Sequence, residues 1–220
     1  MKRKRKISKA LFVMFALLFA ILLIKQVIQV PHPEKASTSM IQPDPFASVK
    51  KYSTILHDEL VQYNLQDYTV VLIAVMQQES RGKGGDPMQS SESAGLAPNT
   101  ITDPKESIQY GVKHFQRVVT YGKEKNVDFQ TIIQSYNMGM GYINYIAENG
   151  GKHSEELAKK FSKIQVDKNP VLYNCGGNKD NFRYPYCYGD FSYSAKVTKN
   201  IEALADSIPA LVSEKHPDAF

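Results

Sequence analysis

The chain has 220 residues, 27 Lys and Arg against 22 Asp and Glu, and a formal net charge of +5. Six of the basic residues, Lys2, Arg3, Lys4, Arg5, Lys6 and Lys9, fall within the first ten positions with no acid beside them. Taking them away leaves −1 for residues 11–220, so the charge reads as a topology signal and nothing in it points to nucleic acid as a partner.

An almost unbroken apolar run follows from Ala10 to Ile24, extended by Val27, Ile28 and Val30 around Lys25. A helix over residues 7–30 reaches roughly 35 Å at about 1.5 Å per residue, enough for a hydrocarbon core of about 30 Å. The expected organisation is a cytoplasmic basic tail (1–9), a transmembrane signal anchor (10–30) and a single-pass topology in the cell membrane with the rest of the chain outside. A cleaved signal peptide is the competing reading; no small-residue Ala-x-Ala site directly follows the run, which favours the anchor.

Residues 31–47 carry Pro31, Pro33, Pro43 and Pro45 among Ser and Thr and are expected to form an extracellular stalk. The remaining stretch, 48–220, is about 170 residues, a normal size for one domain, and shows no internal repeat. Cys175 and Cys187 lie 12 apart in a glycine-rich stretch. They either close a disulfide on the outer face or remain buried thiols.

The fold class expected is mainly α, with little or no sheet. Residues 49–63 place Tyr52, Ile55, Leu56, Leu60 and Tyr63 on one helical stripe. Asp67 is in position to cap a second helix through Val70–Met76, apolar nearly all round and hence central to the core, ending at Glu79-Ser80 before Gly82, Gly84 and Gly85. A short hairpin is a possible reading of residues 86–101. Asp103-Pro104-Lys105-Glu106 combines an N-cap, a proline at the first helical position and an acid three residues after the cap. Ile108, Val112, Phe115 and Val119 then mark a buried face, with Gly122 as a stop. Further helices are expected at about 128–137, 141–148, 154–164 and 193–206, the last with Tyr193, Val197, Ile201 and Leu204 in register.

Glu79 is the candidate with a chemical rationale. It closes the most hydrophobic helix where the chain turns into a glycine-rich loop, and a carboxyl based in apolar surroundings keeps its proton to higher pH. A solvated acid at a helix end is the bland alternative. Three motifs decide between them: Gln78-Glu79-Ser80, Asp86-Pro87-Met88-Gln89-Ser90-Ser91 and Ser135-Tyr136-Asn137-Met138-Gly139.

In order and spacing these motifs resemble the goose-type lysozyme and lytic transglycosylase superfamily over roughly 50–205. They are most similar to the lysozyme-like muramidase domains of Gram-positive membrane-anchored cell-wall hydrolases. The resemblance implies a glycosidase that cuts the β-1,4 bond between N-acetylmuramic acid and N-acetylglucosamine in peptidoglycan. It implies Glu79 as the acid, Ser80 as its neighbour in the pair, Gln89 as a sugar-binding residue, Tyr136 and Asn137 as cleft residues, and Tyr193 as the late tyrosine that hydrogen-bonds the acid. The run Asp103 to Ile108 before Gly111 also matches.

Two departures stand out: Asp86-Pro87 replaces the usual Gly-Leu before Met-Gln, and Gln134-Ser135 replaces Ala-Ala before Tyr-Asn. Asp86 is seven residues past Glu79 and is expected to present a second carboxylate, as a nucleophile at about 5–5.5 Å or as a base for water at about 6.5–9.5 Å. That tilts the expectation toward hydrolysis; a turn-forming Asp before proline is the alternative. Ser90, Ser91 and Glu92 in the same loop are expected to serve loop structure or substrate hydrogen bonding. The five histidines show no metal-ligand spacing and there is no P-loop, nucleotide fingerprint or Gly-x-Ser-x-Gly, so no metal or cofactor is expected. The competing functions are a lytic transglycosylase, which leaves 1,6-anhydromuramic ends, and a non-catalytic wall-binding protein. Which wall process it serves, and with which assembly, division or secretion partners, is open at this level.

Overall fold

The computed structural model describes residues 44–207. The basic tail, the membrane segment expected at 10–30, the stalk expected up to residue 47 as far as residue 43, and the residues beyond 207 lie outside the described residues. Among the described residues no helix is long and apolar enough to cross a membrane.

Among the described residues there are eight α-helices: α1 (Ala47–Lys50), α2 (Ser53–Val61), α3 (Thr69–Glu79), α4 (Pro104–Glu124), α5 (Phe129–Met138), α6 (Met140–Glu148), α7 (Glu155–Lys168) and α8 (Tyr193–Ser207). Among the described residues there is no strand, and the hairpin considered for 86–101 is absent. That stretch is a compact loop with one 3-10 turn at Glu92–Ala94.

The domain begins before residue 48. Phe46 and Val49 are buried in the core, so the last residues assigned to the stalk fold with the domain. The stripe expected over 49–63 is interrupted by a turn at Lys51-Tyr52, where the Tyr52 amide bonds Val49 O at 3.0 Å. Leu56 and Leu60 point inward, whereas Ile55 is 39% exposed because the break rotates α2 away from a single continuous face.

α3 is the centre of the domain. Thr69, Val71, Leu72, Ile73, Ala74, Val75 and Met76 are all buried, and its most extensive helix pairing is with α8. The N-cap position of α3 is Tyr68 and not Asp67, which sits in the preceding 3-10 turn, and Thr69 Oγ1 donates to Gln66 O at 2.5 Å. The cap of α4 is as expected: Asp103 accepts from the Lys105 amide, and Pro104 follows in the first turn. α4 passes through Gly122, however, and ends at Glu124. A Cβ on Gly122 would lie 2.5 Å from Ile132 Cγ1, so the glycine is there to let α5 approach and not to stop the helix.

α3, α4, α5 and α8 enclose one apolar core, and α6 and α7 build a second around Tyr142, Ile146, Ala158 and Phe161. The long loop between α7 and α8 folds back on this second cluster through Phe191, and Cys175 and Cys187 in it form a disulfide with their Cα atoms 5.1 Å apart.

Candidate active site

The site assembles where the C-terminus of α3 meets the 86–91 loop, the end of α5 and the start of α8. Glu79, the last residue of α3, is half-buried. Burial pushes its carboxyl up to about 7 from the ordinary 4.5. The Tyr193 phenol pulls it back down, and the charges of Asp86 and Asp190 add to the rise. The Tyr193 hydroxyl donates to Glu79 Oε1 at 2.5 Å. Burial holds the phenols of both Tyr193 and Tyr136 well above their ordinary range, so both remain protonated donors near neutral pH.

Ser80 follows α3 as its C-cap and stitches it to the next motif. Its Oγ donates to Pro87 O at 2.7 Å and accepts the Gly82 amide at 3.0 Å. Gly82 has φ +70°, and a Cβ there would sit 2.6 Å from Ser48 O, so this turn demands glycine.

Asp86 is bound within its own loop. Its Oδ1 accepts the Ser90 amide at 2.8 Å and Ser107 Oγ at 2.7 Å, and its Oδ2 accepts the Ser91 amide at 3.0 Å and Ser91 Oγ at 2.6 Å. The Ser90 hydroxyl has one proton and directs it to Ser107 O at 2.8 Å, so its 3.3 Å approach to Asp86 adds no donor. Four donors fill the roughly four lone-pair sites of a carboxylate. Burial would raise its pKa, but the bonds from Ser91 and Ser107 and from the Ser90 and Ser91 amides outweigh it and hold Asp86 below its ordinary range. Asp86 is thus an ionised pin at the centre of its own loop.

Ser90 and Ser91 are each 1% exposed and are spent on the same network; Ser91 Oγ also accepts the Ile101 amide at 3.1 Å. Both hydroxyls face into the loop. Glu92 is exposed in the 3-10 turn. Gln89 is exposed with φ 48°, and its side-chain amide donates to Asp86 O at 2.9 Å.

The Met-Gln motif seats on α4 because Gly111 leaves room; a Cβ there would meet Met88 Cβ at 2.7 Å. Tyr136, buried on α5, reaches across to Met88 O with its hydroxyl at 3.3 Å, while its own carbonyl lies 2.9 Å from His114 Nε2. Asn137 Oδ1 accepts the Asp190 amide at 2.6 Å. Gly189, with φ +63°, has no room for a Cβ, which would fall 2.8 Å from that same oxygen. Asp190 in turn pairs with Lys196 at 2.5 Å and accepts Ser192 Oγ at 2.7 Å. Burial raises it, but these partners win and its pKa is lowered.

Glu79, Tyr136, Tyr193 and Asp86 therefore come together, with Ser80 and Asn137 as braces between segments. The sequence reading missed Asp190, whose signal was its place three residues before Tyr193. It also left Ser107 without a role, although that serine is part of the Asp-Pro-x-x-Ser-Ile run. Among the described residues no group of three or more His, Cys, Asp or Glu side chains is placed to hold a metal ion.

A helical domain whose buried central helix ends in a glutamate gripped by a late tyrosine has the layout of a lysozyme. The lysozyme-like family profile matches residues 46–201, and the chain belongs to that family. It is 53% identical over 163 residues to the uncharacterized membrane protein YocA of Bacillus subtilis, covering 74% of this chain and 72% of that one. It is 41% identical over 120 residues to the bifunctional muramidase/DL-endopeptidase CwlT of the same organism, covering 54% of this chain and only 36% of CwlT. A 32% match to pneumococcal vaccine antigen A of Streptococcus pneumoniae covers 70% of this chain and 79% of that protein. Among solved structures, a Staphylococcus aureus protein described as similar to a lipoprotein of the NLP/P60 family superposes with a TM-score of 0.60 at 34% identity, over 70% of this chain and 52% of that one.

Proposed function

We propose that this protein is a membrane-anchored muramidase that cuts the β-1,4 bond between N-acetylmuramic acid and N-acetylglucosamine in peptidoglycan. The observation that carries this reading is the Glu79 carboxyl, raised to about 7 and held by Tyr193 at the end of the core helix. Membership of the lysozyme-like family and the muramidase activity in the name of CwlT support it.

A carboxyl with a pKa near neutrality is half protonated at the pH of growth, which suits a group that must give up a proton and take one back. Glu79 gives its proton to the bridging oxygen as the C1–O bond breaks. The positive charge developing on the sugar is favoured by the fixed negative charge of Asp86 nearby. Water then adds to C1, and its proton goes to the ionised Glu79. Asp86 acts in this scheme as a fixed anion and a loop pin, not as nucleophile or base. Gln89 and Asn137 are the proposed sugar-contacting amides.

One observation favours a second reading. With the lone pairs of Asp86 filled, Glu79 is left as the single carboxylate able to exchange protons, and attack by the muramyl 6-hydroxyl needs no second base. The product would then carry a 1,6-anhydro end.

The N-terminal basic cluster and the word membrane in the name of YocA support an anchor over residues 7–30 with the domain outside the cell. Tethering would confine the enzyme to wall close to the membrane.

The test is mass spectrometry of soluble muropeptides released from purified peptidoglycan by the full chain in detergent, beside Glu79→Gln. Reducing muramic ends that vanish in the variant are the expected result. Anhydro ends select the second reading, and a wild-type protein that sediments with the wall but releases nothing sinks both in favour of a wall-binding protein.

A further inference from the structure

Behind the site lies a polar cluster that the proposed chemistry does not use. His153 sits in the short connection before α7, with its ring between two buried hydroxyls: Nδ1 is 2.7 Å from Tyr142 Oη, and Nε2 is 2.9 Å from Ser194 Oγ. Its backbone amide donates to both carboxylate oxygens of Asp128 at 3.1 Å. Asp128 is the N-cap of α5 and accepts the Thr131 amide at 3.0 Å. Ser194, 2% exposed, is the second residue of α8, and its amide donates to Gln134 Oε1 at 3.0 Å. Gln134, on α5 and fully buried, passes a bond from its side-chain amide to Asp190 O at 2.7 Å.

The placement of this cluster gives it a consequence. α5 carries Tyr136 and Asn137, and α8 begins with Tyr193, so the two helices that His153 touches are those that bring the tyrosines to the acid. The backbone amide of His153 holds the start of α5 and its ring holds the start of α8. Burial lowers the imidazole pKa against the pull of Asp128 and Glu155, so the ring is neutral near pH 7. A neutral imidazole has one donor and one acceptor nitrogen, and either tautomer can satisfy two hydroxyls. Tyr142 is anchored by its ring, which meets Phe161 edge-on and stacks with Tyr145, making it a rigid seat for the imidazole.

We propose that His153 is a positioning residue for the acid: it clips α8 to α5 and to the second apolar core so that the Tyr193 phenol stays on Glu79. The proposal rests on Glu79 being the acid of the reaction. A phenol held in one place by Ser194, one residue along the same helical turn, loses its aim when the clip is removed, and misplacements of about 1 Å cost activity up to about a hundredfold.

The experiment is a 13C NMR titration of the Glu79 carboxyl in the full chain in detergent, with glycan release measured in parallel. The set comprises wild type, His153→Ala, His153→Gln, Ser194→Ala, Tyr193→Phe and the double variant His153→Ala/Tyr193→Phe. The Tyr193 bond lowers the Glu79 pKa, so His153→Ala should raise the titration midpoint in the same direction as Tyr193→Phe. The double variant should titrate like Tyr193→Phe alone, since the clip has nothing left to aim. His153→Gln, whose amide reaches toward Ser194, should restore part of the wild-type midpoint. Turnover should fall about tenfold with KM changed by less than about twofold.

A His153→Ala protein that melts at lower temperature yet titrates at Glu79 like wild type overturns the proposal and leaves His153 a merely structural residue. If His153→Ala does not fold, Ser194→Ala decides the matter by the same midpoint. A chain that cleaves no glycan defeats the functional reading, while the titrations still decide whether His153 sets the Tyr193 contact.

Discussion

The hydroxyl of Tyr193 lies 2.5 Å from Oε1 of Glu79, across 114 positions of sequence. This single bond joins the C-terminus of α3 to the N-terminus of α8, the pair of helices with the most extensive contact in the domain. It also opposes the larger effect of burial on the same carboxyl. Tyr193→Phe should therefore raise the Glu79 pKa above about 7 and move the basic limb of the pH–activity profile to higher pH. Because a hydrogen bond to a charged group contributes about 1.5–3 kcal/mol, kcat should fall by roughly one order of magnitude or more. An unmoved limb would show that the phenol does not sense the charge on the acid.

Glu79→Gln should abolish glycan cleavage, by about 10²–10⁴-fold, and at the same time stabilise the protein. The folded pKa of about 7 exceeds the ordinary 4.5, so between these values the folded state binds more protons than the unfolded one. Stability then falls as pH rises through this window and levels off above it. At about 1.36 kcal/mol per unit the cost at pH 8 is about 3 kcal/mol, which the amide relieves. Thermal melts should place Glu79→Gln above wild type at pH 8 and level with it near pH 4. Equal melting temperatures at pH 8 would refute the raised pKa.

Asp86→Asn is expected to act through the loop. The amide replaces one oxygen by an NH₂ that faces the Ser91 amide or the Ser90 amide, leaving a buried donor against a donor at a cost of about 2–3 kcal/mol. The folded pKa of Asp86 lies below the ordinary 3.8, so its contribution is fully present above that value and is lost as pH falls through the folded pKa. The gap in stability between wild type and Asp86→Asn should thus close in acid. Residual activity should fall below the folded fraction, because the fixed negative charge is lost as well, with unchanged chain ends. Full folding with no activity at neutral pH would return Asp86 to a direct chemical role.

Gly111→Ala tests whether the Met-Gln motif depends on close packing against α4. Helix propensity alone favours alanine by about 1 kcal/mol. The new Cβ would lie 2.7 Å from Met88 Cβ and 2.9 Å from Cγ, near the backbone end of a fully buried side chain that cannot swing away. Overpacking of this kind costs about 1–3 kcal/mol, so the variant should be destabilised in urea melts and should lose activity as Met88 and Gln89 shift. A stabilised Gly111→Ala would show that the loop yields freely.

Much of this architecture is legible in the sequence because it is written locally. The apolar run Val70–Met76, the N-cap at Asp103 and the spacing of Tyr193, Val197, Ile201 and Leu204 report helices and their buried faces directly. What escaped was set by distant partners. Gly122 reads as a stop until Ile132 is placed against it. Asp86 reads as a free carboxylate until Ser107, 21 residues on, turns its hydroxyl toward it. His153 carries no signal at all, since its meaning lies in two hydroxyls 11 and 41 residues away.

The disulfide offers a prediction that separates the loop from the chemistry. Cys175 and Cys187 are 12 apart, and the loop between α7 and α8 returns to the core through Phe191, Tyr186 and Tyr188. Closing a loop of that length restrains the unfolded chain by about 3 kcal/mol on the chain-entropy account. Cys175→Ser/Cys187→Ser should lower the melting temperature accordingly and give reductant no further effect. The Glu79 limb of the pH profile should stay in place, because Gly189 and Asp190 are also held by Asn137 and by Arg183, whose Nη1 donates to Gly189 O at 3.2 Å. A shift of that limb in the serine variant would mean that the bridge, and not the contacts made by Asn137 and Arg183, fixes the approach of α8 to the acid.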